Sequence, residues 1–155
     1  MACNQTLTAI LKDCSPSMGG IVEALFANKE DVQEVTLTED MVSAITMTSG
    51  KKFVKFQFPR NTGSMSSNYT IDHTTGVKFV TTDLVLVFNR METSKRIAIK
   101  ALMQNDLVAI VKDANGKYWY LGYDEALNAT AGDGLTGTAR ADRNGYSATL
   151  QDNSP

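Results

Sequence analysis

The stretch SMSSNYTIDHTTGVKFVTTDLVLVFNRM, residues 64–91, constrains the fold of this chain more than any other part. Its segments 64–72 and 77–90 are dense in Thr, Val, Tyr and Phe, whose branched or aromatic side chains suit a pleated surface. Between them Asp72-His73-Thr74-Thr75-Gly76 supplies a polar turn, so the two segments are expected to pair as an antiparallel hairpin. The second segment is long, since strands commonly run to about five or six residues. A small domain does not cover a hairpin of that length. Residues 64–86 are therefore expected to project from the body and mediate assembly, with Tyr69, Ile71, His73, Val77 and Phe79 as contacts for another copy.

Most of the remaining pattern also has period two. In KKFVKFQF, Val54, Phe56 and Phe58 alternate with Phe53, Lys55 and Gln57, which predicts a strand with one buried face, ended by Pro59. Ser49-Gly50 before it marks a turn, so 43–48 is expected to pair back on this strand. GGIVEALFANKEDV fits a strand from Ile21 to Ala27 or a short helix. The preceding Gly19-Gly20, and DVQEVTLT as a second strand to pair with it, favour the strand. LVAIVKDANGKYWYLGY and TARADRNGYSATLQD each contain D-x-N-G, where Asp caps its own turn while Asn and Gly tolerate positive φ. Both are expected to be tight hairpins. The ligand spacing and distal glutamate of a calcium-binding EF-hand are missing from them. The alternation places Val54, Phe56, Phe58, Val85, Val87 and Leu121 in the core.

The period changes in TSKRIAIKALMQND. Thr93 or Ser94 suits a cap, Ile97, Ala98, Ala101 and Leu102 share a helical face, and Asn105 suits the end. One helix over 94–104, packing that face on a sheet, completes the expected fold. It is mainly β, a β-sandwich or half-open barrel with one flanking α-helix and a long projecting β-hairpin, in a single domain over 1–155.

Composition narrows the function classes. With 43% hydrophobic and 21% charged residues the 155-residue chain is ordinary for a globular protein and folds without help from a metal. A net charge of −2 provides no basic field for gripping nucleic acid. No apolar run approaches the roughly 20 residues of a membrane span, and MACNQTLTAILKDCSPS lacks the features of a signal peptide. The chain is expected to be soluble, away from membranes, and made in a reducing cytoplasm. Cys3 and Cys14 are then expected as thiols, with a bridge between them as the alternative. They and the single His73 do not have the spacing of a zinc site. The sequons at Asn4, Asn68 and Asn128 mark only polar residues near turns.

GDGLTG, residues 132–137, matches the G-x-G-x-x-G of dinucleotide-binding loops. Such a loop follows a buried strand and opens a helix, with an acid about twenty residues on. Here Asn128-Ala129-Thr130-Ala131 precedes it as a polar linker and a D-x-N-G turn follows, so a mobile glycine loop is expected. His73 lacks a nearby catalytic set beyond Asp72, and the neighbours Glu39 and Asp40 point apart, as in a solvated turn. KYWYLGY is expected to place one side in the core and the other against a neighbour. No catalytic centre, metal or cofactor is expected.

The succession of KKFVKFQF, the hairpin 64–90 running into LVLVFNRM, one helix, LVAIVKDANGKYWYLGY, GDGLTGTA and DRNGYSATLQ resembles the tail-tube-like proteins of tailed bacteriophages. The opening MACNQTLTAILKDCSPSMGGIVEALFANKEDV is similar to the beginnings of small virion structural proteins from phages of Bacteroides-like hosts. The resemblance implies a virion protein, assembled in the host cytoplasm, that forms a hexameric or larger ring in the tail or head–tail connector. Its partners would be its own copies, adjoining tail or connector proteins, and genomic DNA passing through the channel without sequence-specific binding. A mildly acidic balance suits such a channel, because a basic wall would hold the DNA. Two other classes stay open: a capsid-surface or fibre-like glycan-binding module presenting Tyr118, Trp119 and Tyr120, and a small β-rich enzyme whose site assembles from distant residues.

Overall fold

Gly20, at φ 96°, turns the chain into β1 (Ile21–Asn28), the first strand of the computed structural model, which describes residues 6–155. A 3₁₀ turn at Lys29–Asp31 leads into β2 (Val32–Thr38), β3 (Met41–Met47), β4 (Val54–Phe56), β5 (Ser64–Asp72) and β6 (Val77–Asn89). The helix α1 (Thr93–Gln104) follows, then β7 (Leu107–Asp113), β8 (Tyr118–Leu121), β9 (Asn128–Leu135) and β10 (Gly145–Ser154). Two antiparallel sheets, in the orders β4-β1-β7-β8 and β5-β6-β10-β9, make a β-sandwich with α1 at its flank. A third sheet consists of β2 and β3 alone.

The core lies between the two larger sheets. On one side, the cross-strand pairs Phe88–Tyr146, Leu86–Ala148 and Leu84–Leu150 stack along β6 and β10, all buried. Opposite them lie Ile21, Ala24 and Phe26 of β1, Ala109 and Val111 of β7, and Leu121 of β8. Phe56 meets Phe26 edge-on, with ring centroids 5.2 Å apart, and Phe88 at 5.9 Å. Ile99 and Leu102 of α1 join the same cluster.

The hairpin 64–90, the strand from Ile21, the β7–β8 hairpin and the helix through Gln104 with Asn105 at its end form as expected. Several pairings do not. The segment 43–48 does not return on KKFVKFQF; β3 pairs with β2 around Glu39-Asp40, and β4 pairs with β1. Both turn residues have positive φ, 51° and 62°, which is the two-residue type I′ geometry that matches the twist of a hairpin. This local closure wins over the Ser49-Gly50 turn. β2 also does not pair with β1, whose two edges are taken by β4 and β7.

The expected phase holds in KKFVKFQF, where Phe56 and Phe58 are half-buried against the core and Lys55 and Gln57 are exposed, although Val54 is 59% exposed. Leu121 is buried as expected, but Val85 and Val87 are only half-buried. In the run Leu84-Val85-Leu86-Val87-Phe88 both faces are apolar, so alternation alone does not select the inner one. The register with β10 selects it, aligning Leu84, Leu86 and Phe88 with Leu150, Ala148 and Tyr146. A similar inversion occurs in the helix. Ile99 and Leu102 are buried, whereas Ile97, Ala98 and Ala101 are exposed. Neither Thr93 nor Ser94 caps it: Glu92 is the N-cap residue and makes no side-chain capping bond.

Most of GDGLTG is not a loop: residues 132–135 are strand, and only Thr136 and Gly137 enter the following connection. Asn128–Leu135 is the edge strand β9, and Gly132 and Gly134 lie within it. A Cβ at Gly132 would fall on Met103 Cε of α1, and one at Gly134 would sit 2.9 Å from the Tyr146 ring. The glycines thus let the helix and an aromatic ring approach the strand. The Asp142–Gly145 sequence is likewise not a tight turn. It closes the longer connection 136–144, and Gly145 already pairs with Leu135 and Asn89. Cys14 is exposed; Cys3 and Asn4 lie outside the described residues.

Candidate assembly surfaces

The hairpin β5–β6 leaves the sandwich at a polar layer. Just beyond the Leu84–Leu150 pair, Thr82 lies opposite Asp152 on β10 and opposite Ser67 on β5. The Asp152 carboxylate accepts a 2.8 Å hydrogen bond from the Gly122 N–H, and Ser67 and Thr82 hydroxyls lie 3.2 Å apart. Burial pushes the Asp152 carboxyl above the usual carboxylate range, assisted by Asp124 and Glu125 and opposed by the bonds from Gly122 and Thr82. Lys29 Nζ donates to the carbonyls of Gly122 and Tyr123, at 2.7 and 3.1 Å, which fixes the chain beside this layer. The apolar core ends here because β10 ends soon after, at Ser154 opposite Val80.

Past that point β5 and β6 pair only with each other, from Thr70–Phe79 to Asp72–Val77. The turn is fixed by Asp72, whose Oδ1 accepts from the N–H groups of Thr74 and Thr75 at 2.8 and 3.3 Å. Those bonds hold its carboxyl below the usual carboxylate range, the Thr74 bond most. Alternation divides four of the five expected contact residues between two faces. Tyr69 and Ile71 share a face with their partners Val80 and Lys78; Val77 and Phe79 share the other with Asp72 and Thr70. His73 lies in the turn, exposed. Tyr69 is 75% and Ile71 61% exposed, Val77 is exposed, and Phe79 is half-buried. β5 is also an edge strand, with its outer peptide groups facing no strand of this sheet.

A second arm escaped the sequence reading. In β2–β3 the paired residues sort by chemistry: Val32–Met47, Val35–Ile45 and Leu37–Val42 lie on one side. Glu34–Thr46, Thr36–Ala44 and Thr38–Met41 lie on the other, with irregularities after Val32 and Thr36 that keep the apolar residues together. Among the described residues no other strand pairs with this two-stranded sheet. The signal was present in the sequence, but it appears only when the segments are paired about Glu39-Asp40. Taken separately, the two segments point to the strand from Ile21 and to KKFVKFQF as partners.

The other expected sites are taken up by structure. Asp142 Oδ2 accepts from the N–H groups of Thr138 and Ala139, and Arg143 and Ser147 both bond Asp133. Asp113 bonds the N–H groups of Asn115 and Lys117 and the Trp119 indole, closing the β7–β8 turn. Leu121 is the residue of KYWYLGY that fills the core; Tyr118 and Trp119 are exposed and Tyr120 is half-buried. Successive residues of β8 face opposite ways, so Tyr118 and Trp119 do not form one platform. Among the described residues no helix is long and apolar enough to cross a membrane, and no three His, Cys, Asp or Glu side chains gather as a metal site. Comparison with protein-family models, curated proteins and solved structures finds no match.

Proposed function

We propose that this chain is a non-enzymatic structural protein that closes with copies of itself into a ring, in the tail or head–tail connector of a phage virion, around a channel for DNA. The observation that supports this reading is the β5–β6 tip beyond Val80. There Tyr69, Ile71 and Val77 are exposed beside the free edge of β5, where the sandwich provides neither a covering sheet nor a further strand. A two-stranded hairpin is marginal in water, and an open edge with apolar side chains gains stability by pairing with a neighbour. Strand pairing between unlike edges repeats head to tail and closes when the rotation allows, which gives a ring. The phage setting comes from the tail-tube resemblance and the acidic balance of the chain, and adjoining tail or connector proteins would be its other partners.

The test is to shorten the tip. Ser67 and Thr82 are directly opposed, so Asn-Gly in place of 68–81 gives a two-residue hairpin turn at an existing pair. The variant is expected to fold, by circular dichroism, and to sediment as a monomer where the full chain forms rings visible by negative-stain microscopy. Normal assembly of the shortened protein refutes the reading.

A further inference from the structure

We infer that the β2–β3 arm is the plug of a second, head-to-tail contact, and that its socket is the groove beside α1 on another copy of this chain. The arm presents a continuous apolar face, Val32, Val35, Leu37, Val42, Ile45 and Met47, of which Val32, Val35, Ile45 and Met47 are half-buried while Leu37 and Val42, toward the turn, are exposed. Leu37 is 42% and Val42 37% exposed. The arm and its root are acidic, with Glu30, Asp31, Glu34, Glu39 and Asp40 against the single cation Lys29.

The socket has the complementary character. A groove of about 290 Å³ runs between α1 and β4, lined by Phe26, Val54, Phe56, Ala98, Ala101 and Leu102. Beside it Ile97 stands exposed on the outer face of the helix, one turn from Ala101. Arg96 and Lys100 flank Ile97 on the helix, and Lys52 lines the groove, with Asp31 as the one acid there. Among the described residues, none of Glu39, Asp40, Arg96 and Lys100 takes part in an ion pair. Two apolar stripes, exposed at Leu37 and Val42 on one and at Val54, Ile97, Ala98 and Ala101 on the other, the first bordered by unpaired anions and the second by unpaired cations, fit each other. Because Asp31 lines the groove and β2 starts at Val32, each copy carries plug and socket side by side. A contact between unlike surfaces so placed propagates from copy to copy.

This inference rests on the self-association proposed above but uses different residues from the β5–β6 tip. Its test is a crosslink: Leu37→Cys with Ile97→Cys, in a chain whose Cys3 and Cys14 are Ser. Mild oxidation is expected to give a ladder of covalently joined chains on a non-reducing gel, and neither single cysteine alone gives more than a dimer. Separately, Glu39→Asn with Asp40→Gly keeps the type I′ turn and improves its residues while removing both charges. It is expected to weaken association about tenfold in sedimentation at low salt, as Arg96→Glu with Lys100→Glu does, the order expected for two rim charges. If rings form but the crosslink is absent or lies within one chain, the arm contact is wrong and the ring proposal stands. If the charge variants associate like the wild type, the arm contact is also wrong. A full chain that stays monomeric at every concentration overturns both.

Discussion

Adding one methyl group at Gly132 tests whether packing, and not nucleotide binding, requires glycine in GDGLTG. The new Cβ would overlap Met103 Cε and lie 3.1 Å from the Ser147 carbonyl oxygen. Met103 Cε is the free end of a flexible side chain and can swing aside, so the cost lies at the low end for overpacking, about 1 kcal/mol. Alanine recovers about 0.5–1 kcal/mol, since glycine is the poorer residue inside a regular strand. Gly132→Ala is therefore expected to lose no more than about 0.5 kcal/mol in urea unfolding followed by circular dichroism. In a Met103→Ala background the overlap disappears, and only the tight approach to Ser147 remains. There the same substitution is expected to be neutral or slightly stabilising, giving a coupling of up to about 1 kcal/mol between the two sites. All four proteins are compared at a concentration where each is monomeric, so that assembly does not enter the free energies. An equal cost of Gly132→Ala in both backgrounds would refute the argument that the helix demands this glycine.

The buried Asp152 carboxyl has a raised pKa, so its favourable contribution is present below the ordinary carboxylate range and is lost as pH rises through the raised value. Asp152→Asn keeps an acceptor for Gly122 N–H without the charge, and is expected to stabilise the protein at pH 7 but not near pH 4; Asp152→Ala strands that N–H and is expected to cost about 1–3 kcal/mol. Denaturant melts at both pH values decide it, and a loss at pH 7 as large for Asn as for Ala overturns the sign. Asp113 behaves oppositely: the Lys117 N–H, then the Trp119 indole, hold its carboxyl low, so the turn's support is present above the ordinary range and fades as pH falls through the lowered value. Emission of Trp119, the only tryptophan, should change over that acid range, and Asp113→Ala should remove the change.

What the sequence by itself determined was local. Thr- and Val-rich segments, D-H-T-T-G and D-A-N-G turns, and the break in period at TSKRIAIKALMQND define two hairpins and one helix, because turn chemistry and side-chain period act within a few residues. They also mark 64–86 as more hairpin than a small body covers, whereas β10 accompanies β6 as far as Val80 and only the end of the hairpin lies beyond it. The tertiary structure decided what those rules leave degenerate. Leu84-Val85-Leu86-Val87-Phe88 is apolar on both faces, so only the register with β10 chose Leu84, Leu86 and Phe88 for the core. α1 has two apolar stripes, and docking buried Ile99 and Leu102 while leaving Ile97 and Ala101 outside. The polar, glycine-rich 128–135 has almost no strand propensity, yet it is held as β9 by β10 on one edge and by Met103 above Gly132. The paired apolar face of β2–β3 depended on the same kind of choice. It exists only once Glu39-Asp40 closes the turn and β4 and β7 have occupied both edges of β1.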